Sequence, residues 1–125
     1  MNKFLLVAIG GAAGSVLRFG LGIYVNNRVA SRFPYSTLII NVTACFLIGF
    51  LVTLLADSAS WNSDWRYLAS VGFLGGYSTF SAFEYETFRA FQEGDIVIAG
   101  LNVIVSVAAG FVAVWLGYVA GKRLA

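Results

Sequence analysis

The stretch Gly72-Phe73-Leu74-Gly75-Gly76-Tyr77-Ser78-Thr79-Phe80-Ser81-Ala82-Phe83-Glu84-Tyr85-Glu86 constrains this chain more than any other. It sits in otherwise apolar sequence yet combines glycines, hydroxyl residues, the paired Phe80 and Phe83, and two carboxylates. Tandem glycines followed by Tyr, Ser and Thr are poor helix formers, so the pattern predicts a backbone break at Gly75–Ser78. Inside a bilayer such a break persists only where it is buried in protein or lines a wet cavity.

Composition makes the bilayer the expected solvent. The 125 residues are 59% hydrophobic and 11% charged, with a mean hydropathy of +0.82, whereas soluble domains carry roughly a quarter charged residues. This length supplies about four spans of ~20 residues each. The apolar runs place them at about 4–25, 34–56, 67–91 and 96–121, in a single all-α transmembrane domain. The first is read as a retained helix, because its apolar run has no stop at signal-peptide length. A net charge of +2 with no basic run gives no reason to expect a nucleic-acid partner. The lone Cys45 cannot form an intrachain disulfide. The absence of histidine removes the commonest general base and transition-metal ligand.

Depth arithmetic sharpens the meaning of the break. Gly75–Ser78 lies about 12–17 Å into the third helix at 1.5 Å per residue. Half of a ~30 Å hydrocarbon core is ~15 Å. The break therefore falls near the midplane, where transport proteins place ion sites on interrupted helices.

Each other segment carries polar residues at fourth-residue spacing. In the first, Gly10, Gly14, Arg18 and Gly22 share a face, a pattern that lets a neighbouring helix approach closely. Arg18 either snorkels to the interface or anchors a helix contact by binding backbone carbonyls or a carboxylate. In the second, opened by Pro34 at a first-turn position, Thr37, Asn41 and Cys45 share a face. The Asn41 carboxamide needs partners in hydrocarbon, either as interhelical glue or as a pathway donor. Cys45 reads as a small packing residue. Trp61, Trp65 and Tyr67 read as an interfacial aromatic belt, and Asp64 as a cap for the third segment. Gly94 suits a helix C-terminus and Asp95 an N-cap. In the fourth segment Asn102, Ser106 and Gly110 share one face, and Ala109, Ala113, Gly117 and Gly121 form a small-residue stripe.

Four spans would put Lys3, Arg66, Lys122 and Arg123 on one side of the membrane and Arg28, Arg32 and Arg89 on the other. That is almost no bias under the positive-inside rule. A chain without a preferred orientation can insert both ways, and two opposed copies can then pair about a twofold axis in the membrane plane.

No enzyme constellation is present. Glu84 and Glu86, two residues apart, point to different sides of a helix. Transport remains, and the polar inventory speaks to the ion. Thr37, Asn41, Thr79, Ser81 and Ser106 can all donate hydrogen bonds. Phe80 and Phe83 share a face and can offer positive ring edges, or simply contact lipid or core. Donors and ring edges suit a small anion, while carbonyls released at Gly75–Ser78 would attract a cation.

The sequence resembles the Fluc (CrcB-type) family of fluoride channels over essentially its whole length. The resemblance rests on Gly10-Gly11-Ala12-Ala13-Gly14-Ser15-Val16-Leu17-Arg18, on Asn41, Phe46 and Gly49, and most specifically on Gly75-Gly76-Tyr77-Ser78-Thr79-Phe80-Ser81-Ala82-Phe83. It implies an antiparallel, dual-topology homodimer in the bacterial inner membrane, with two pores that export fluoride passively. By that analogy Phe80 and Phe83 give ring edges to fluoride and Asn41 is a pore-lining donor. Ser81, Thr37 and Ser106 extend a polar track, Glu86 borders the outer reach, and Arg18 is a structural anchor. A structural sodium ion at the dimer centre would be held by the main-chain oxygens of Gly75 and Ser78. Ala44, Ser78 and Ala82 stand where the family more often has Gly, Thr and Thr. Two other classes share some of these features. A small proton-coupled multidrug exporter needs a first-helix carboxylate, and this first helix has Arg18 and no acid. A non-conducting membrane assembly subunit would use Asn41 and the small-residue faces for packing alone.

Overall fold

The computed structural model describes residues 2–56 and 63–125. These residues form helices and no strand. The first helix, α1 (Lys3–Arg28), starts where Asn2 Oδ1 accepts the Phe4 N–H at 2.8 Å, a side-chain N-cap. Arg28 occupies its last turn, where a cation complements the helix dipole. Helix α2 (Tyr35–Leu55) begins one residue after Pro34. The proline is thus the flanking residue rather than a first-turn one, and its carbonyl accepts the Leu38 N–H at 3.2 Å.

The third segment is composite. A short α3 (Ser63–Trp65) leads into a π-helical run, Arg66–Leu74, and then into α4 (Gly75–Tyr77). The chain leaves helical geometry at Ser78 (φ −78°, ψ 158°) and Thr79 (φ −149°, ψ 119°). It resumes as α5 (Phe80–Gln92), where Thr79 Oγ1 accepts the Ala82 N–H at 3.2 Å. Gly94, at φ +83°, makes the turn to α6 (Ile96–Leu124). Asp95 stands at the N-cap position of α6, but its side chain does not cap the helix. It pairs with Arg32 instead. Asp64 lies within the first turn of α3 rather than flanking it. Trp65 is exposed and Tyr67 half-buried, while Trp61 lies outside the described residues.

Among the described residues α1, α2 and α6 are long and apolar enough to cross a membrane. All-helical architecture with several such helices makes this a multi-pass membrane protein. The exposed Phe4, Val16, Phe19, Phe111 and Trp115 belong to its long apolar helices, and in a bilayer they would face lipid.

Packing explains the glycines. A Cβ on Gly10 would land on the carbonyl oxygen of Leu68, one on Gly14 on that of Phe73, and one on Gly76 on that of Gly11. Helix α1 therefore meets the third segment backbone to backbone, as small-residue faces permit. On the other side, a Cβ on Gly117 would strike the Phe46 carbonyl, so α6 lies equally close to α2. Gly22 has open space beside it and takes no part in these contacts. Between them a core of Ile40, Ala44, Leu74 and Tyr77 joins α2 to the third segment. Ala44 is 5% exposed there, so its methyl fills the contact.

This packing corrects the position of the break. Gly75 and Gly76 are helical, and the interruption sits at Ser78–Thr79. Gly76 is required by the approach of α1 rather than by a bend of its own, while Gly75 has open space beside it. What opens the helix is a side chain from elsewhere in the fold.

Candidate functional site

That side chain is Asn41. From the middle of α2 its Oδ1 accepts the Thr79 N–H and its Nδ2 donates to the Thr79 carbonyl, both at 2.9 Å. The carboxamide thus acts as a substitute peptide, satisfying both backbone groups of the residue at the centre of the break. The other flank is held from α1, where Arg18 Nε donates to the Gly76 carbonyl at 3.1 Å. Arg18 thus binds a backbone carbonyl where α1 meets the third segment.

The consequences for the remaining carbonyls can be followed one by one. In a continuous helix the Gly75 carbonyl would accept from the Thr79 N–H, and the Ser78 carbonyl from the Ala82 N–H. The first donor is taken by Asn41 and the second by the Thr79 hydroxyl. Gly75 and Ser78 therefore present oxygens whose helical donors have been diverted. Gly75 is also exposed. The Ser78 hydroxyl donates back to the Leu74 carbonyl at 2.9 Å and so has no proton to offer outward.

A cavity of about 460 Å³ opens beside the break. Its polar lining includes Asn41, Ser70, Ser78, Thr79 and Ser106, and its aromatic lining Phe80 and Phe83. The two rings lie 5.8 Å apart and are tilted 45° to each other. Phe83 is 7% exposed and Phe80 is 73% exposed, so one ring is fixed in the fold and the other stands free. Asn41, Phe80, Phe83, Ser106, Gly75 and Ser78 are thus brought to one place from three helical segments.

Other expected residues lie elsewhere. Thr37, one turn from Asn41, is buried and donates to Glu86 Oε1 at 2.7 Å. The second Glu86 oxygen is buried without a hydrogen-bond partner. Glu86 lines a second cavity, of about 240 Å³, with Arg32, Arg89, Glu93 and Asp95. Ser81 is exposed and outside both linings; its hydroxyl is 3.4 Å from that of Thr79. Cys45 lines the first cavity and would touch a Cβ on Gly110, in keeping with a packing role.

Thr87, Thr43 and Ser70 are polar residues of this region that the sequence pattern does not mark, and Asn102, which that pattern places on the Ser106 face, makes its contacts among them. Thr87 accepts from Asn102 Nδ2 at 2.8 Å, and Asn102 Oδ1 accepts from the Ser106 hydroxyl at 3.2 Å. Asn102, 2% exposed, is a second carboxamide in apolar sequence and carried the same signal as Asn41. Thr43, on α2, hydrogen-bonds Tyr77 at 2.8 Å and had no such signal. Ser70 has a buried hydroxyl without a partner, set in the π-helical run, where unusual backbone often accompanies function.

Comparison with known proteins places this geometry in a family. The model of the family described as CrcB-like protein, Camphor Resistance (CrcB) matches residues 5–118. The chain belongs to the CrcB-like family. Among its CrcB-like relatives, a protein of Acidobacterium capsulatum is 48% identical over 122 residues, covering 98% of each chain. One of Solibacter usitatus is 46% identical over 121 residues, covering 97% of this chain and 99% of that one. One of Coxiella burnetii is 40% identical over 121 residues, covering 96% and 98%. Each of these CrcB-like relatives is named fluoride-specific ion channel FluC.

Proposed function

We propose that this protein is a fluoride-selective channel through which fluoride leaves the cell passively, and not an enzyme. The observation that carries the reading is the convergence of Asn41, Ser106, Phe80 and Phe83 on one cavity at a broken helix, in a chain whose relatives carry the name of a fluoride channel.

The chemistry follows from what each group has left to give. Asn41 uses one amide N–H on Thr79 and has a second to offer an anion. Ser106 donates to Asn102 across a long 3.2 Å bond, and an arriving fluoride competes for that proton. Ring edges of Phe80 and Phe83 add a weak positive potential. Such groups replace part of the hydration shell without a formal positive charge. Binding is then strong enough to admit the ion and weak enough to release it. Thr37 and Glu86 continue the polar line toward the second cavity, with Ser81 at its exposed margin.

In this reading the third segment also crosses the membrane, as the third of four crossings, interrupted at Ser78–Thr79, and the working unit is an antiparallel homodimer. The near balance of Lys and Arg between the two sides supports dual topology. The exposed Phe80 and open cavity face, which a second copy would cover, support a dimer. Cysteines placed in the loops should be labelled from both sides of the membrane; labelling from one side alone would overturn dual topology.

The diverted carbonyls of Gly75 and Ser78 fit a hard cation, and two copies would supply four such oxygens. When bound, a sodium ion would supply positive charge at the centre of the dimer. The chain's own part is to keep those oxygens free, which Asn41 does for Gly75 by taking the Thr79 N–H and the Thr79 hydroxyl does for Ser78 by taking the Ala82 N–H.

The deciding experiment is ion efflux from liposomes containing the purified protein. Fluoride should leave and chloride should stay. Equal efflux of the two ions, or none of either, would overturn the proposal.

A further inference from the structure

The second cavity invites a reading of its own, one that rests on the channel function proposed above. It lies where the Val29–Pro34 connection, the end of α5 and the start of α6 meet, and it is lined by Arg32, Arg89, Glu93, Asp95 and Glu86. Arg32 Nη1 pairs with Asp95 Oδ2 at 3.3 Å, and Arg89 Nε pairs with Glu93 Oε1 at 3.2 Å. Each guanidinium gives one nitrogen to its carboxylate and retains further N–H donors. The Asp95 side chain leaves the α6 cap position to reach Arg32, so the first N–H groups of that helix lack a side-chain cap. A helix N-terminus in this condition attracts anions. Through Glu86 and its bond to Thr37 the cavity joins the polar line that leads back to Asn41.

We propose that this cavity is the outer mouth of the anion path, that Arg32 and Arg89 collect fluoride there, and that Asp95 and Glu93 set the strength of that collection. The charge count shows why the arginines matter. Two cations face three carboxylates in the lining. Loss of either arginine leaves a more strongly negative mouth, and loss of either paired carboxylate leaves a more positive one. The arginine side chains are 84% and 66% exposed, so water screens them and they act on arrival rather than on tight binding. A unit charge ~6 Å from an ion in water changes its local concentration about threefold.

The test is initial fluoride efflux from liposomes at two ionic strengths, where the Debye length is ~30 Å (0.01 M) and ~8 Å (0.15 M). At the lower salt Arg32→Gln and Arg89→Gln should each slow efflux about two- to threefold, and Asp95→Asn and Glu93→Gln should speed it by a similar factor. All four should converge on the wild type as salt is raised. Arg32→Lys and Arg89→Lys should retain the wild-type salt dependence, because they keep the charge. Losses independent of salt, or restored by neither lysine, would mark these residues as purely structural and overturn the proposal. Wild-type rates in the glutamine variants would overturn it too. A wild-type protein that releases no fluoride refutes the channel function itself, an outcome distinct from either.

Discussion

Replacing Asn41 with leucine should both destabilise the protein and close the break. Leucine has as many side-chain heavy atoms as asparagine, so no large cavity is left, though its methyl groups need more room than atoms held at 2.9 Å from the Thr79 backbone. What is removed is a donor and an acceptor, each engaged at 2.9 Å with the main chain of Thr79. An unsatisfied buried backbone group costs about 1–3 kcal/mol. With both groups only partly buried, the sum falls near the lower end, about 2–4 kcal/mol. At 1.4 kcal/mol per decade that is roughly a 30- to 700-fold shift in the folding equilibrium. The chain can recover part of this loss by returning the Thr79 N–H to the Gly75 carbonyl. That step would extend α4 and withdraw the oxygen proposed for the cation. The measurement is denaturant unfolding in detergent beside fluoride efflux from liposomes, with Asn41→Asp as companion. The aspartate keeps an acceptor for the Thr79 N–H but sets a carboxylate oxygen against the Thr79 carbonyl. Leucine should lose both stability and flux, and aspartate should also lose flux. A leucine variant with wild-type stability and flux would refute the view that Asn41 holds the break open.

Other expectations follow from the same geometry. Phe80→Ile should cut fluoride efflux by at least tenfold while the assembly state, read by size-exclusion chromatography, stays unchanged, because isoleucine keeps that exposed position apolar for a second copy to cover. Wild-type efflux would remove Phe80 from the path. Gly14→Ala should destabilise by about 1–3 kcal/mol, since its Cβ would strike the Phe73 carbonyl; an unchanged unfolding midpoint in detergent would show that α1 can shift at no cost. Purification and reconstitution with a bulky organic cation in place of sodium should lower activity, and sodium readdition should restore it. Full activity without any small cation would leave Gly75 and Ser78 without the proposed ligand.

The parts of this site that sequence revealed are those with local periodicity. Thr37, Asn41 and Cys45 do share a face of α2. Asn102 and Ser106 hydrogen-bond along one face of α6, and the glycines of α1 do mark a close helix contact. The break begins at Ser78, the last residue of the expected Gly75–Ser78 stretch, and extends to Thr79, for a reason that local propensity cannot reveal. Glycine weakens a helix in isolation, but Gly75 and Gly76 remain helical, Gly76 within the contact that α1 makes with the third segment. Ser78 and Thr79 leave the helix because Asn41, 38 positions away in the chain, competes for the Thr79 peptide groups. The π-helical run likewise has no local marker between Arg66 and Leu74. Helix ends run one to four residues beyond expectation in α1 and the third segment and three at the end of α6, whose start is as expected, while α2 is one residue shorter at each end. Such offsets are normal where capping rather than hydropathy decides. Asp95 shows the same limit: its position was legible, but its choice of Arg32 over its own helix was not.

Consider, finally, the order in which the chain is made. Arg18 and Asn41 both precede Ser78 and Thr79, and they lie on α1 and α2, the two helices synthesised first. When the third segment emerges, the groups that will receive its interrupted backbone are already in existence. The same segment made alone would have to remain helical throughout or expose bare peptide groups to lipid. A version of this protein permuted to begin near Ser63 would reverse that sequence of events, and its third segment would wait for both of its holders.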